Sequence, residues 1–368
     1  RRVTGERYAQ YEGDLSADSK ASNIIGRSFG QRVWSVSMLE EYAFCPMQFF
    51  LHRVLGLEEL PQMEEGLSAL ERGSALHEIL FRFYDFLRTQ KAEDRPAEFS
   101  GELIRIASQV FDKLPLKGFF KRLEFMHLVG GKEQPGILLQ LIEEDQQIIA
   151  KSGYHPAYLE WSFGYSGGRL RDPASLKDAV RLRHEKGNLR LNGSIDRVDV
   201  NADGRALIID YKTGAGAGKE KIDTILNGLH YQLPLYALAL QEHFKKSRVV
   251  WAGYYVLADA QKIKRHPLVA DEEMYGLPIK PKNASLPNSL VVNEEKEKLT
   301  FQQVLDHTLG RALDITAAVK SGSFGLSRYP EENGCKSYCE YKRMCQKNVA
   351  KMKRVAENNK VDKNPDNK

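Results

Sequence analysis

The stretch Gly193-Ser194-Ile195-Asp196-Arg197-Val198-Asp199, followed by Ala206-Leu207-Ile208-Ile209-Asp210-Tyr211-Lys212-Thr213-Gly214, constrains this chain more than any other. Two apolar runs flank Asn201-Ala202-Asp203-Gly204, and Asp-Gly between such runs is a strong hairpin signal. Side chains alternate along a strand, which sets Ile208, Asp210 and Lys212 on one face and Leu207, Ile209 and Tyr211 on the other. Each strand carries an acid where a half-buried strand prefers an apolar residue. Asp196, Asp210 and Lys212 gathered on one sheet face suggest a divalent-cation site with an ammonium beside it. A salt bridge at a sheet edge is the plainer alternative, and two acid-bearing strands in one hairpin weigh against it.

The rest of the chain supplies a frame for that hairpin. Residues 1–32 are polar and read as a flexible lead-in. Ser35-Val36-Ser37 reads as a helix N-cap, with Glu40 closing a capping box on Ser37. That helix runs to Cys45-Pro46 and an aromatic patch. Gly73-Ser74 opens a second helix, with Leu76, Ile79, Leu80, Phe83 and Phe86 at helical spacing and His77 beside that stripe. Helical spacing returns from Phe99 to Ser152, and residues of about 90–152 read as a helical insertion. Strand character begins near Tyr158 and recurs at 180–182, 189–200, 206–211 and 248–256. Gly214 to Gly218 read as a loop rich in backbone donors, and helices follow around Gln232–Leu240 and 301–320. This order predicts an α/β core of a mixed sheet flanked by helices, in one domain over 33–345, and not a doubly wound repeat.

Composition narrows the class. The chain has 42% hydrophobic and 28% charged residues, as ordinary globular proteins do. No apolar run is long enough for a membrane span, and no signal peptide opens the chain. Its start, Arg1-Arg2-Val3, suggests a fragment of a longer protein. The net charge of +5 is concentrated in residues 346–368, where seven Lys/Arg face three Asp/Glu. This basic tail reads as disordered. Bulk charge therefore makes no case for nucleic acid, and any such contact must come from local clusters. Arg181, Arg183, His184, Lys186, Lys219, Lys221, Lys262, Lys264 and Arg265 are the candidates. Trp34, Trp161 and Trp251 read as core.

Magnesium takes oxygen ligands, commonly one or two carboxylates with water and substrate phosphate. Asp196 and Asp210 suit that role, and Lys212 suits a water or a developing phosphoryl charge. Gly-x-x-Asp-Arg-x-Asp followed by Ile-Ile-Asp-Tyr-Lys-Thr-Gly resembles the PD-(D/E)XK nuclease superfamily and, more closely, its AddB/RecB-type nuclease domains. Gly73-Ser74-Ala75-Leu76-His77 resembles that family's Gly-x-x-x-His helix, and Gln232-Leu233-Pro234-Leu235-Tyr236 its Gln-x-x-x-Tyr motif. A strand carrying Glu160 ahead of the hairpin also fits a family pattern, with no role given to that residue. The resemblance implies a restriction-endonuclease-like fold. It further implies Mg²⁺ or Mn²⁺ on His77, Asp196, Asp210 and the Tyr211 backbone carbonyl, Lys212 serving the attacking water, and Gln232 and Tyr236 positioning DNA.

Cys45, Cys335, Cys339 and Cys345 in a chain without a signal peptide suggest a metal or cluster before disulfides. The last three are spaced x3 and x5, far from Cys45. This pattern resembles the iron-sulfur staple of AddB-type nucleases and of the small CRISPR-adaptation exonucleases. It implies a [4Fe-4S] cluster on these four residues, with zinc as the less favoured occupant, although the first spacing in those families is x2. The whole resemblance implies a metal-dependent deoxyribonuclease, an exonuclease on single strands in double-strand break repair. It would be cytoplasmic, bacterial and nucleoid-associated, fed by a UvrD-like helicase subunit or an upstream helicase-like region, since no Walker motif occurs here. A CRISPR-adaptation-type exonuclease and a non-catalytic DNA-end-binding scaffold are the alternatives. The intact Asp-Asp-Lys-His set argues against the scaffold.

Overall fold

The structure, a computed structural model, describes residues 13–58, 67–130, 134–165, 170–214, 222–258, 263–270, 291–292, 298–325 and 339–345. Cys335, most of the glycine loop, Lys219, Lys221, Lys262 and the basic tail lie outside the described residues.

The helices are α1 (Ser19–Gly30), α2 (Val36–Phe44), α3 (Pro46–Phe49) with a π-helical turn Phe50–Val54, α4 (Ala69–Gln90), α5 (Ser100–Phe111), α6 (Gly118–Val129), α7 (Ile137–Ser152), α8 (Ile222–Leu226), α9 (Gln232–His243), α10 (Phe301–Lys320) and α11 (Lys342–Cys345). The main sheet comprises β1 (Trp34–Ser35), β2 (His155–Phe163), β3 (Val180–His184), β4 (Gly187–Val200), β5 (Arg205–Lys212), β6 (Arg248–Val256) and β7 (Lys264–Ala270). Strand β4 is the spine. Its first half pairs with β3 and, in parallel, with β1; its second half pairs antiparallel with β2 and β5. Strand β6 then runs parallel to β5, so the sheet is mixed. The β4–β5 turn forms as expected: Asn201 Oδ1 accepts the N–H groups of Asp203 (3.1 Å) and Arg205 (2.9 Å), and Gly204 takes φ +78°.

Each face of the sheet is covered by its own core. Ile195, Val198, Ala206 and Ile208 pack with Leu39 of α2, Leu233 and Leu240 of α9 and Leu309 of α10. Leu159, Leu207, Ile209 and Tyr211 pack on the other face with Leu76, Phe83, Ile106, Leu141 and Ile142 of α4, α5 and α7. The segment expected as a helical insertion is thus one of the two layers that bury the sheet. Fully burying a Leu, Ile or Phe contributes about 1.5–3 kcal/mol, so this layer is part of the fold's stability and not an appendage.

Three boundary expectations are corrected. The lead-in is not loose from residue 13 onward: Asp18 caps α1 by accepting from Lys20 and Ala21 N–H, and Ile25 and Phe29 are buried. The cap of α2 is Ser35, not Ser37; its hydroxyl accepts from Met38 N–H. Helix α4 begins before Gly73, because Ser68 and Glu71 form a reciprocal capping box. All three tryptophans are core, each at most 2% exposed.

Between α4, α7 and the hairpin lies a buried polar network. Arg197 binds both oxygens of Asp199 (2.6 and 2.7 Å) and also Asp145, which accepts from the Tyr84 hydroxyl. Its guanidinium lies 4.4 Å from the Tyr84 ring centre and donates to the Tyr211 hydroxyl at 3.3 Å. One cation between two carboxylates satisfies groups that would be costly to bury alone, and it fixes Tyr211 from below.

Candidate active site

The β4–β5 ladder runs from Val200↔Ala206 to Arg197↔Ile209 and stops. The next residues on each strand are Asp196 and Asp210. There the side chain of Asp196 replaces the ladder: its Oδ2 accepts the N–H of Tyr211 at 2.8 Å. The two strands part at the acids.

On the far side of β4, Glu160 of β2 has φ +50°, a left-handed conformation that costs a non-glycine residue about 1–3 kcal/mol. It breaks the alternation of the strand. Leu159 packs in the core with α4 and Trp161 in the opposite one, although they are two residues apart. The kink leaves the Glu160 carboxylate facing α4, where His77 stands. His77 Nδ1 lies 3.4 Å from Glu160 Oε1 and 3.3 Å from Asp196 Oδ1. Its Nε2 lies 3.2 Å from the Tyr211 carbonyl oxygen. Among the described residues, His77, Glu160 and Asp196 are the one group of three or more His, Cys, Asp or Glu whose ligand atoms all lie within 4.8 Å of one another. Burial alone would lower the His77 pKa, but the Asp196 and Glu160 carboxylates outweigh it and raise it to about 11. Two carboxylates and a backbone carbonyl around one imidazole form an oxygen-rich pocket, the kind of donor set that hard cations take.

Asp210 stands next to this group under a different restraint. Lys212 Nζ lies 2.6 Å from its Oδ2, and Gln232 Nε2 donates to its Oδ1 at 2.5 Å. Gln232 Oε1 accepts from Lys212 Nζ at 3.2 Å, closing a three-residue clamp, and the ammonium lies 5.1 Å from the Tyr254 ring centre. Burial, then the Asp196 charge, push the Asp210 pKa up to about 7 against the pull of Lys212 and His77. Burial disfavours the Lys212 ammonium, but Asp210 and Asp196 more than offset that and raise its pKa. Asp210 Oδ2 is buried and faces the Lys212 ammonium.

The residues expected from sequence are therefore brought together, with two changes. Glu160 joins His77 and Asp196 in the tight group, while Asp210 is held by Lys212 and Gln232. Tyr236 is buried against Phe163 at 6.0 Å between ring centres, and burial, then the charge of Asp210, raises its hydroxyl pKa. Its ring packs on the β4 backbone at Gly193, where an added Cβ would fall 2.6 Å from it. Gly193→Ala should therefore displace that ring and cost about 1–3 kcal/mol, read as a lower denaturant midpoint with an unchanged m-value.

Two residues take places at this site that the sequence alone does not assign. Glu160 carries the same signal as Asp196, an acid within an apolar strand, but nothing local announces its backbone kink. Glu40, expected to close a box on its own helix, instead caps α9 from α2: its Oε1 accepts the Tyr231 N–H at 2.9 Å and lies 3.9 Å from His230 Nδ1. Burial raises its pKa, opposed by backbone hydrogen bonds from Tyr231 and Gln232 and by the charges of His230 and Lys212. It thus holds the backbone of the clamp residue Gln232.

Three of the basic residues expected around β3 and β7 form ion pairs. Lys186 pairs with Asp314 (2.9 Å), Arg183 with Glu242 (3.6 Å), and Arg265 with Glu144 (2.5 Å) while covering the Tyr255 ring. Far along the chain, the Cys339–Cys345 turn returns to the Cys45 region. Buried Tyr341 donates its hydroxyl to the Leu57 carbonyl at 2.6 Å. Burial raises its pKa, and the charges of Glu41 on α2 and of Cys339 add to that. Cys45 Sγ accepts the Gln48 N–H at 3.5 Å. Cys45, Cys339 and Cys345 are half-buried, and thiolate chemistry there suits zinc or an iron-sulfur cluster.

A mixed sheet between two helical layers carries a His–Glu–Asp group and an Asp–Lys pair where two of its strands part, the arrangement of a nuclease-type core. The chain belongs to the PD-(D/E)XK nuclease superfamily, whose family model matches residues 33–346. Among curated proteins it is similar to a subunit of the ATP-dependent helicase/deoxyribonuclease of Thermoanaerobacter sp. (strain X514), at 25% identity over 85% of this chain and 30% of that protein. The proteins of the same name from Clostridium perfringens (strain ATCC 13124) and Clostridioides difficile (strain 630) share 30% and 25% identity, over 64% and 83% of this chain and 20% and 27% of theirs. The chain thus spans less than a third of the length of these relatives. No helix among the described residues is long and apolar enough to cross a membrane.

Proposed function

We propose that this chain is a DNA-hydrolysing nuclease module of a helicase–nuclease system, dependent on Mg²⁺ or Mn²⁺ and acting as an exonuclease on single strands. One observation carries the reading: the His77–Glu160–Asp196 group and the Asp210–Lys212–Gln232 clamp share the gap between β4 and β5. The metal would be held by His77, Glu160, Asp196, Asp210 and the Tyr211 carbonyl, and would polarise the phosphoryl group and acidify a bound water. The protein's own part is to position. Lys212, kept as an ammonium by Asp210, offers N–H donors to charge developing on the phosphate. Gln232 holds Lys212 and Asp210 in register. Asp196 ties the Tyr211 backbone so that its carbonyl faces His77.

The names of the relatives support a helicase partner and a DNA substrate. We further assign Cys45, Cys335, Cys339 and Cys345 to a [4Fe-4S] cluster with a structural role. The test of the activity is a time course with Mg²⁺ on end-labelled linear and on circular single-stranded DNA, for the wild type and Asp210→Asn. Loss of the linear strand, blocked by EDTA and by the substitution, is the expected result. Equal degradation by both proteins would overturn the catalytic assignment, and cleavage of circles would overturn exonuclease action.

A further inference from the structure

Helix α6 carries the molecule's largest run of exposed apolar side chains among the described residues. Phe119 is 72%, Phe120 52%, Leu123 53% and Met126 47% exposed. They occupy i, i+1, i+4 and i+7, which is one face of the helix. A face of this kind on a globular chain marks a contact surface. Its charge setting separates it from an ordinary protein-binding face. Lys117, immediately before the helix, and Arg122 on it are exposed, and among the described residues no carboxylate lies within ion-pair distance of either. Lys121, between them, is held by Asp112 at 2.9 Å.

The face is fixed close to the site. Glu124, on the same helix, receives both Nε (3.0 Å) and Nη2 of Arg72 in the first turn of α4. The adjoining Gly73 faces Thr213, where an added Cβ would lie in ordinary van der Waals contact, 3.8 Å from its Oγ1. Thr213 follows Lys212 directly, and His77 is one turn further along α4. The Arg72–Glu124 pair therefore ties α6 to the rim of the cleft where β4 and β5 part.

We propose that this face of α6 is a binding surface for single-stranded DNA, on which unpaired bases stack against Phe119 and Phe120 while Lys117 and Arg122 take the phosphates, so that the strand is held as it enters the site. This rests on the nuclease reading above and adds the route by which substrate arrives. The two rings stand edge to face, 5.9 Å apart at 72°, and both are accessible to a base. Stacking needs exposed ring faces and unpaired bases, which a single strand has and a duplex withholds. Exposed cations beside aromatic rings complement a phosphate backbone, and contacts of this type carry no sequence preference.

The test uses the chain with Phe119→Ala/Phe120→Ala, and separately Lys117→Gln/Arg122→Gln. All four side chains are exposed, so folding is unaffected, which matched melting curves verify. Binding is read by fluorescence anisotropy on a labelled thirty-nucleotide oligo(dT) in EDTA, and cleavage by KM and kcat with Mg²⁺ on the same strand and on a six-nucleotide strand. Losing one stacked base corresponds to roughly a ten- to hundredfold drop in affinity. The aromatic variant should weaken binding and raise KM on the long strand by that factor, with kcat unchanged and the short strand little affected. The cation variant should weaken binding and flatten its salt dependence. Wild-type affinity for the long strand in the aromatic variant would overturn the proposal. If that result comes with altered self-association on gel filtration, the face belongs to a protein contact instead. A wild-type chain that binds the strand through these residues but does not cleave it would fail the nuclease reading alone.

Discussion

Lys212→Met should lower DNA cleavage about 10²- to 10³-fold, the usual cost of removing a donor aimed at developing charge, while leaving the domain folded. The ammonium is the one cation of the clamp, and it is 2.6 Å from Asp210 and 3.2 Å from Gln232. Methionine keeps the length and the contact with Tyr254 but offers no N–H. The fold survives because Asp210, whose pKa already stands at about 7 through burial and the Asp196 charge, takes up a proton when its partner is lost. A buried carboxyl that neutralises itself avoids most of the desolvation cost. Lys212→Arg should rescue little, since a planar guanidinium does not fit a point-charge position between Asp210, Gln232 and the Tyr254 ring. The three clamp residues act as a unit, so Lys212→Met/Asp210→Asn should be little worse than either single change. Rates on labelled single-stranded DNA, beside thermal melts, check this. Additive losses would show that Asp210 and Lys212 act separately.

Legibility in the chain differs from element to element. The β4–β5 hairpin is legible because its turn residues and two-residue period are local, and so are the opposed faces of Ile208 and Ile209. Motif order carries His77 to the hairpin across more than a hundred residues. What stays hidden depends on nonlocal packing. Glu160 enters the site only because its backbone turns left-handed at a residue with no glycine or asparagine to signal it. Glu40 caps a helix almost two hundred residues away, which no window on α2 reveals. The start of α4 does have a local signal: Ser68 and Glu71 spell the capping box, but the glycine at 73 mimics a boundary inside the helix. Helix α1 escapes a reading by periodicity because only Ile25 and Phe29 are buried in an otherwise polar stretch, too few to set a repeat.

Cys45→Ser should remove the proposed cluster, and with it the brown colour near ~400 nm expected of thiolate-bound iron and sulfur. It should also lower both the melting temperature and cleavage. A bond from residue 45 to the Cys335–Cys345 segment closes a loop of almost the entire domain, where a cross-link removes the most freedom from the unfolded chain, about 4–5 kcal/mol for loops beyond a hundred residues by the disulfide analogy. The effect on cleavage has a route of its own. Cys45 directly follows α2, and one helical turn before it Glu40 holds the Tyr231 N–H at the start of α9. Gln232 is the next residue, and it holds both Asp210 and Lys212. Loosening α2 therefore loosens the clamp. Glu40→Ala separates the two effects: it leaves the cysteines in place but removes the acceptor, and should reduce kcat about 10- to 100-fold, as loss of a supporting hydrogen bond does at metal sites, with absorbance unchanged. Glu40→Gln retains an acceptor oxygen and should recover much of that loss. Full activity in Glu40→Ala would show that the clasp and the clamp are independent, and a colourless wild-type protein containing zinc would replace the cluster without altering the route from Cys45 to Lys212.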